Sequence, residues 1–210
     1  LRATAPAAAL FAAWPGPAKA QRVAPAEGQA YRRLAEPLPV APGRLHVLAF
    51  FWYGCPHCYA FEPALQAWAA QLPQDVQLTR VPVVFNPAPL FLAHQKIYYA
   101  LQTLGQAERM HMKVFEAIHH GHQRLDRLSD IAALMQANGI DPSRFVAAYE
   151  SPGVARQAQL ATNAAQAYGV NAVPSFGVQG RYFTSATLAD TPERSLVVVD
   201  YLLDKLRRGG

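Results

Sequence analysis

One stretch of the chain decides the fold: Leu45-His46-Val47-Leu48-Ala49-Phe50-Phe51-Trp52-Tyr53-Gly54-Cys55-Pro56-His57-Cys58. Residues 45–53 form an apolar and aromatic run that is too short for a typical helix and rich in strand formers, so it predicts a buried central strand. Gly54 ends the strand, and a helical pattern follows from Pro56 to about Gln71. The two cysteines therefore lie where a buried strand meets a helix.

Hydrophobic periodicity, turn residues and capping signals predict the other elements. Extended segments are predicted over 30–34 and 76–85, with a hairpin over 173–184. Helices are predicted over 90–104, 107–120, 130–138 (with Ser129 as N-cap), from 142, over 152–168, and over 192–208. The order indicates an α/β unit, over 21–85 and 168–210, that carries an inserted all-helical lobe over 86–167.

Composition limits the classes of protein to which the chain can belong. The chain has 210 residues, of which 51% are hydrophobic and 16% charged, enough for one core with an inserted lobe and unlike a disordered chain. The formal charge of +5 comes with no dense Lys/Arg run, so we expect no nucleic-acid binding. Two cysteines cannot form a multi-bridge scaffold, which indicates a chemical role for them.

The first twenty residues resemble the end of a secretory signal peptide. A small apolar run over 7–14 is followed by Pro15-Gly16-Pro17 and by Ala18-Lys19-Ala20, an A-x-A cleavage pattern. A flexible leader or a short amphipathic anchor is the alternative. No stretch is long and apolar enough for a transmembrane helix. Cleavage after Ala20 would place the remaining chain in an oxidising compartment.

The motif Cys55-Pro56-His57-Cys58 indicates dithiol redox chemistry. A sulfur at a helix N-terminus faces unpaired N–H groups and the positive end of the helix dipole, and both favour the nucleophilic thiolate. Cys58 lies one turn further on, within reach of a mixed disulfide at Cys55. Pro56 suits the first helical position, and His57 can place a positive charge beside the Cys55 thiolate.

Two other interpretations of the cysteine pair are open at this point. A zinc site needs about four ligands, and nothing in the sequence places His119, His120 or His122 near the two cysteines. An inert structural disulfide is the other. We favour the redox site, and we expect no metal.

The motif and its surroundings resemble the DsbA family of bacterial periplasmic thiol–disulfide oxidoreductases, within the thioredoxin superfamily. Pro63 lies where thioredoxin-like proteins kink the active-site helix, and the segment 169–176 resembles the one that carries the family's cis-proline. The resemblance covers about residues 27–207. It implies a thioredoxin fold with an inserted helical lobe. It also implies reoxidation by a DsbB-like membrane protein that passes electrons to quinone, with no bound cofactor because the two sulfurs carry both electrons.

Further residues near the motif are candidates for the site. A cis bond between Val173 and Pro174 would turn the Val173 backbone toward the active site, where it can pair with an extended substrate chain. An ordinary trans bond at the start of an edge strand is the alternative. Some relatives carry a buried acid on the strand before the motif, but this chain has Ala49. Glu62 is then either a proton relay for Cys58 or a solvated side chain on the helix surface.

Several other side chains are assigned to surfaces or to the core. His111, His119, His120 and His122 are interpreted as a solvated helix end. Tyr53 and Tyr59 flank the motif and are candidates for an apolar docking surface, whereas Phe50, Phe51, Trp52 and Trp68 are assigned to the core.

The expected function is a monomeric periplasmic oxidase that donates the Cys55–Cys58 disulfide to reduced, newly exported proteins. There are two alternatives. The protein is a disulfide isomerase or reductase, or it is a metallochaperone that holds Cu(I) between two thiolates.

Overall fold

A five-stranded mixed sheet lies at the centre of the computed structural model, which describes residues 24–209. Its strands are β1 (Arg32–Arg33), β2 (Leu45–Phe51), β3 (Val76–Pro82), β4 (Ser175–Val178) and β5 (Tyr182–Ser185). The order across the sheet is β1-β5-β4-β2-β3, with β2 parallel to β3 and antiparallel to β4. The predicted signal segment over 1–20 lies outside the described residues.

Eight helices accompany the sheet within residues 24–209. They are α1 (Pro56–Ala69), α2 (Pro89–Thr103), α3 (Ala107–His119), α4 (Leu128–Ala137), α5 (Pro142–Tyr149), α6 (Pro152–Ala167), α7 (Ala186–Ala189) and α8 (Pro192–Arg207). Proline occupies the start of α1, α2, α5, α6 and α8, where its missing N–H has no helical partner to lose. None of these helices is long and apolar enough to cross a membrane.

The structure corrects several predicted boundaries. Strand β2 ends at Phe51 rather than residue 53, because the N–H of Cys55 bonds to the carbonyl of Trp52 and closes a turn. Strand β3 ends at Pro82 rather than residue 85. Ser129 is not an N-cap: α4 begins at Leu128, and its first turn bonds to the carbonyl of Arg127.

Helix α7 was not predicted. It has four residues, too few to show a hydrophobic period, and the Ser185 side chain caps it by accepting from the N–H of Leu188.

From Val47 to Phe50, the central strand β2 directs its side chains alternately to two cores. Val47 and Ala49 pack in one core with side chains of α1 and α8. Leu48 and Phe50 face the other core, which side chains of α2 to α6 fill. This alternation follows from the period of two in a strand, and it leaves the carboxyl end of β2 between the two groups of helices.

The chain returns from the helices to the sheet at Tyr168. A Cβ atom at Gly177 would lie 2.5 Å from the Tyr168 ring, so a glycine there leaves room for the ring. The Tyr168 hydroxyl accepts from the N–H of Gly180 at 2.9 Å. The Arg32 guanidinium donates to the carbonyl oxygens of Tyr168 and Gly169. These contacts hold the segment that leads into β4.

Candidate active site

The first cysteine of the motif is the N-cap of α1, as the sequence predicts. Cys55 has extended backbone angles (φ −87°, ψ 114°), and its Sγ accepts from the N–H of Cys58 at 3.3 Å. The sulfur thus takes the place that a serine or aspartate oxygen has in an ordinary cap. Pro56 and His57 follow in the first turn and are both exposed.

The two sulfurs have opposite electrostatic surroundings. A hydrogen bond from the Cys58 thiol holds the pKa of Cys55 at about 6, although burial opposes this shift, and the backbone N–H groups of Cys58 and His57 lower the pKa further. The charge of His57 contributes least. The predicted direction is therefore confirmed, but the neighbouring thiol rather than the imidazole is its main cause.

Cys58 is kept as a thiol. Its residue is 3% exposed, against 7% for Cys55. Burial raises the pKa of Cys58 well above its usual range, and its hydrogen bond to Cys55, the charge of Cys55 and the charge of Glu62 raise it further. Cys55 is therefore the sulfur that carries negative charge, and Cys58 is the one that carries a proton.

The peptide bond between Val173 and Pro174 is cis, as predicted. The carbonyl oxygen of Val173 lies 3.5 Å from Sγ of Cys55. Strand β4 begins at the next residue, Ser175, which pairs with Phe50 of β2. The sheet register therefore brings this loop to the end of β2, where the motif begins.

Glu62 is buried, so its interpretation as a solvated helix-surface residue is wrong. The residue is 2% exposed. Its Oε1 accepts from Arg80 at 2.6 Å (Nη2) and 3.1 Å (Nε), and its Oε2 lies 3.4 Å from Nε2 of His111. Burial alone would raise the pKa of Glu62, but the contact with His111 and the charge of Arg80 outweigh it and lower the pKa.

Arg80 is a partner that the sequence analysis missed. It lies on β3 directly beside Ala49 of β2. Because Ala49 carries no acid, the buried carboxylate that pairs with Arg80 is that of Glu62 on α1. A charged residue inside a strand pattern that ends in Val-Pro-Val-Val is the signal that could have found it.

Comparison with known proteins identifies the family. A family model described as the DSBA-like thioredoxin domain matches residues 46–196. The chain belongs to the DSBA-like family. It is 38% identical to the thiol:disulfide interchange protein DsbA of Pseudomonas aeruginosa over 181 residues, which are 86% of this chain and 85% of that protein. It is also 38% identical to the DsbA of Azotobacter vinelandii, over 90% of this chain and 89% of the other.

Solved structures of this family have the same fold. The crystal structure of Pseudomonas aeruginosa DsbA matches with a TM-score of 0.83 and 37% identity, over 88% of this chain and 95% of that chain. The oxidoreductase DsbA from Xylella fastidiosa matches with a TM-score of 0.79 and 33% identity, over 86% and 97% of the two chains. The predicted thioredoxin fold with inserted helices is therefore confirmed.

Two assignments near the motif of this DSBA-like chain are wrong. Tyr53 is buried rather than part of a docking surface, and its hydroxyl lies 3.0 Å from Nδ1 of His111. His111 is likewise buried in the middle of α3 and is not part of a solvated helix end. Both follow from the way α3 packs against the start of α1.

His119 joins the end of α3 to the active-site helix. Its ring stacks on Tyr59 at 5.0 Å, and its Nε2 donates to the carbonyl oxygen of Tyr53 at 2.8 Å. His120 and His122 are exposed. Within the described part of the chain, no group of three or more His, Cys, Asp or Glu side chains is arranged to hold a metal ion.

Proposed function

We propose that this DSBA-like enzyme is a periplasmic dithiol oxidase that donates its Cys55–Cys58 disulfide to reduced, newly exported proteins. Membership of the family makes the chain a thiol–disulfide oxidoreductase. The observation that carries the direction of transfer is the stabilised Cys55 thiolate, with a pKa of about 6. A stabilised thiolate favours the reduced enzyme, so the disulfide form readily takes electrons from other thiols.

The reaction consists of two exchanges. A substrate thiolate attacks Sγ of Cys55, the Cys55–Cys58 bond breaks, and its electron pair passes to Sγ of Cys58, which takes up a proton. A second substrate thiolate then attacks the substrate sulfur of the mixed disulfide, and Cys55 leaves as the stabilised thiolate. The substrate loses two electrons and gains a disulfide, and the enzyme becomes a dithiol without any bound cofactor.

Substrate binding falls to the loop that faces Cys55. Val173 is half-buried, and its carbonyl oxygen already lies 3.5 Å from the sulfur. An extended substrate chain can pair with this backbone without a requirement for particular side chains. Pro56 and His57 form the exposed rim that such a chain would pass, Pro174 belongs with Val173 to the substrate-binding loop, and Glu62 is the proposed proton relay for Cys58.

The cellular setting is part of the same proposal. Residues 1–20 act as a cleaved signal peptide, residues 21–85 and 168–210 form the thioredoxin-like domain, and residues 86–167 form the inserted helical domain. The enzyme works as a monomer, and a DsbB-like membrane quinone reductase reoxidises it.

The decisive test mixes the oxidised enzyme with a reduced, unfolded protein and follows the loss of free thiols. We expect stoichiometric transfer by the wild type, no transfer by Cys55→Ser, and normal transfer by Ser129→Ala, an exposed residue of the helical insert. Titration against glutathione gives the reduction potential. A potential near the thioredoxin value of about −270 mV would indicate a reductase and contradict the proposal. Tight Cu(I) binding without thiol oxidation would indicate a metallochaperone.

A further inference from the structure

Behind Cys58 lies a buried imidazole that the reaction above does not use. Glu62 follows Cys58 by four residues in α1, so the two side chains are neighbours on one face of the helix, with Cβ atoms about 5–6 Å apart. His111 reaches the same carboxylate from α3, with Nε2 3.4 Å from Oε2. Glu62 is therefore a neighbour of Cys58 on one face of α1 and a direct contact of His111.

The imidazole is fixed on every side. Nδ1 lies 3.0 Å from the hydroxyl of Tyr53, and the rings of Phe51 and Phe115 pack edge-on at 5.0 and 5.1 Å between centroids. A hydroxyl oxygen can accept from Nδ1–H, so Tyr53 suits both the imidazolium and the neutral imidazole that keeps its Nδ1 proton. Nε2 is then the nitrogen that gains and loses a proton, and it lies toward the Glu62 carboxylate.

Arg80, the other partner of Glu62, cannot exchange a proton with it. It is bonded to Oε1 of Glu62 through two nitrogens, and a guanidinium does not give up its proton in proteins. Its effect is to keep the carboxylate ionised and to leave Oε2 for His111. A histidine, in contrast, changes charge between about pH 5 and pH 8.

We propose that His111 stores the proton that Cys58 exchanges during turnover, with Glu62 as the carrier between them. This inference rests on the proposed function. His111 acts through Glu62 and does not touch the sulfur, so it is a positioning residue rather than a catalytic one.

The proton balance is as follows. When a substrate thiolate attacks Cys55, the electron pair of the broken bond arrives on Sγ of Cys58. The Nε2 proton of the His111 imidazolium passes to Glu62, and a proton passes from Glu62 to Cys58. The products are a Cys58 thiol, a Glu62 carboxylate and a neutral imidazole that keeps its Nδ1 proton. When the disulfide is formed again, Cys58 loses this proton, which returns through Glu62 to Nε2 of His111.

Other ionisable groups also act on His111 and contribute to its charge. The groups that face it, directly or through one neighbour, are Tyr53 after β2, Glu62 on α1, Arg80 on β3, Tyr98 on α2 and Glu108 on α3.

The test measures the first exchange alone. Oxidised full-length enzyme is mixed with glutathione in single-turnover mode between about pH 5 and pH 8, and the rate of mixed-disulfide formation is divided by the glutathione thiolate concentration. We expect the wild-type rate per thiolate to rise as the pH falls through the imidazole titration. In His111→Gln and in Glu62→Gln this rise should disappear, with a loss of about 10²-fold at low pH, the lower end of what general acid catalysis contributes.

Controls separate this role from packing. His94 is equally buried near the motif, but it bonds to the carbonyl of Arg124, so His94→Gln should keep the rise. Tyr53→Phe keeps the ring and removes the hydroxyl beside Nδ1, and it should move the midpoint of the rise if His111→Gln does not fold.

The inference is wrong if His111→Gln keeps the wild-type profile, or if Tyr53→Phe leaves the midpoint unchanged. A wild type that forms no mixed disulfide at any pH would instead overturn the proposed function.

Discussion

The two cysteines at the start of α1 differ in the surroundings that set their protonation. Around Cys55, the neighbouring residues Pro56 and His57 are exposed, and hydrogen bonds from the start of the helix stabilise the thiolate. Behind Cys58, Glu62 and its partners are buried, and desolvation keeps the thiol protonated. Four residues of one helix thus produce two sulfurs of opposite protonation, because one faces the helix end and the other faces the core.

The largest effect is expected from a substitution that removes the buried cation behind Cys58. Arg80→Met leaves the Glu62 carboxylate without its cation in a site where the arginine side chain is 10% exposed. Loss of one partner of a buried ion pair costs about 3–5 kcal/mol, so we expect a decrease of that size in the free energy of unfolding, measured by denaturant titration.

A matched surface pair provides the control for this substitution. Arg127 is paired with Asp130, but its side chain is 75% exposed, so Arg127→Met should change the free energy of unfolding by no more than about 1 kcal/mol. Equal losses in the two variants would mean that burial does not decide the strength of the Glu62–Arg80 pair.

A smaller effect is expected on the pH dependence of the free energy of unfolding, and it tests the surroundings of Cys55. The pKa of Cys55 in the folded, reduced enzyme is about 6, below the value of about 8.5 for an unfolded cysteine. Between these values the unfolded state binds more protons, so the free energy of unfolding of the reduced form rises with pH. The contribution, about 3 kcal/mol, is complete above about pH 8.5 and is lost as the pH falls through about 6.

Paired denaturant titrations of the reduced and oxidised forms measure this contribution, because the disulfide form has no thiol to titrate. We expect the reduced form to be the more stable at neutral pH, and its advantage to shrink toward pH 6. A difference that is constant with pH would contradict the pKa assigned to Cys55.

The smallest effect concerns the exposed side. The His57 charge is the weakest of the causes that lower the pKa of Cys55, so His57→Ser should raise that pKa by less than about 1 unit. The reduction potential should become more negative by less than about 30 mV. Thiolate absorbance against pH measures the first quantity and titration against glutathione the second. A larger shift would show that the exposed imidazole, and not the Cys58 thiol, dominates at Cys55.

The local features of the site could be predicted from the sequence because they depend on neighbouring residues. The apolar run that ends at Tyr53, the Gly54 after it and the proline at position 56 define a strand, a turn and a helix start without reference to the rest of the chain. The redox roles of Cys55 and Cys58 follow from that junction. The order of helices between β3 and β4 was equally accessible from hydrophobic periodicity and capping residues.

The buried charges could not be predicted, because they depend on packing between elements far apart in the chain. Glu62, Arg80 and His111 lie on α1, β3 and α3, and each alone is typical of a solvated position. Ala49 shows the same limit: the sequence reveals that β2 lacks an acid, but the sheet register is needed to see that Arg80 lies beside it and that the acid comes from α1.

The hydrogen bonds from Arg32 to the carbonyl oxygens of Tyr168 and Gly169 link the start of the described chain to the loop that carries Val173. Strand β1 is two residues long and pairs at the far edge of the sheet from β2, yet its arginine tethers the chain four residues before Val173. The amino-terminal end of the described chain therefore helps to hold the segment before the loop that faces Cys55. A deletion that includes Arg32 removes both of these hydrogen bonds from the segment that leads to Val173.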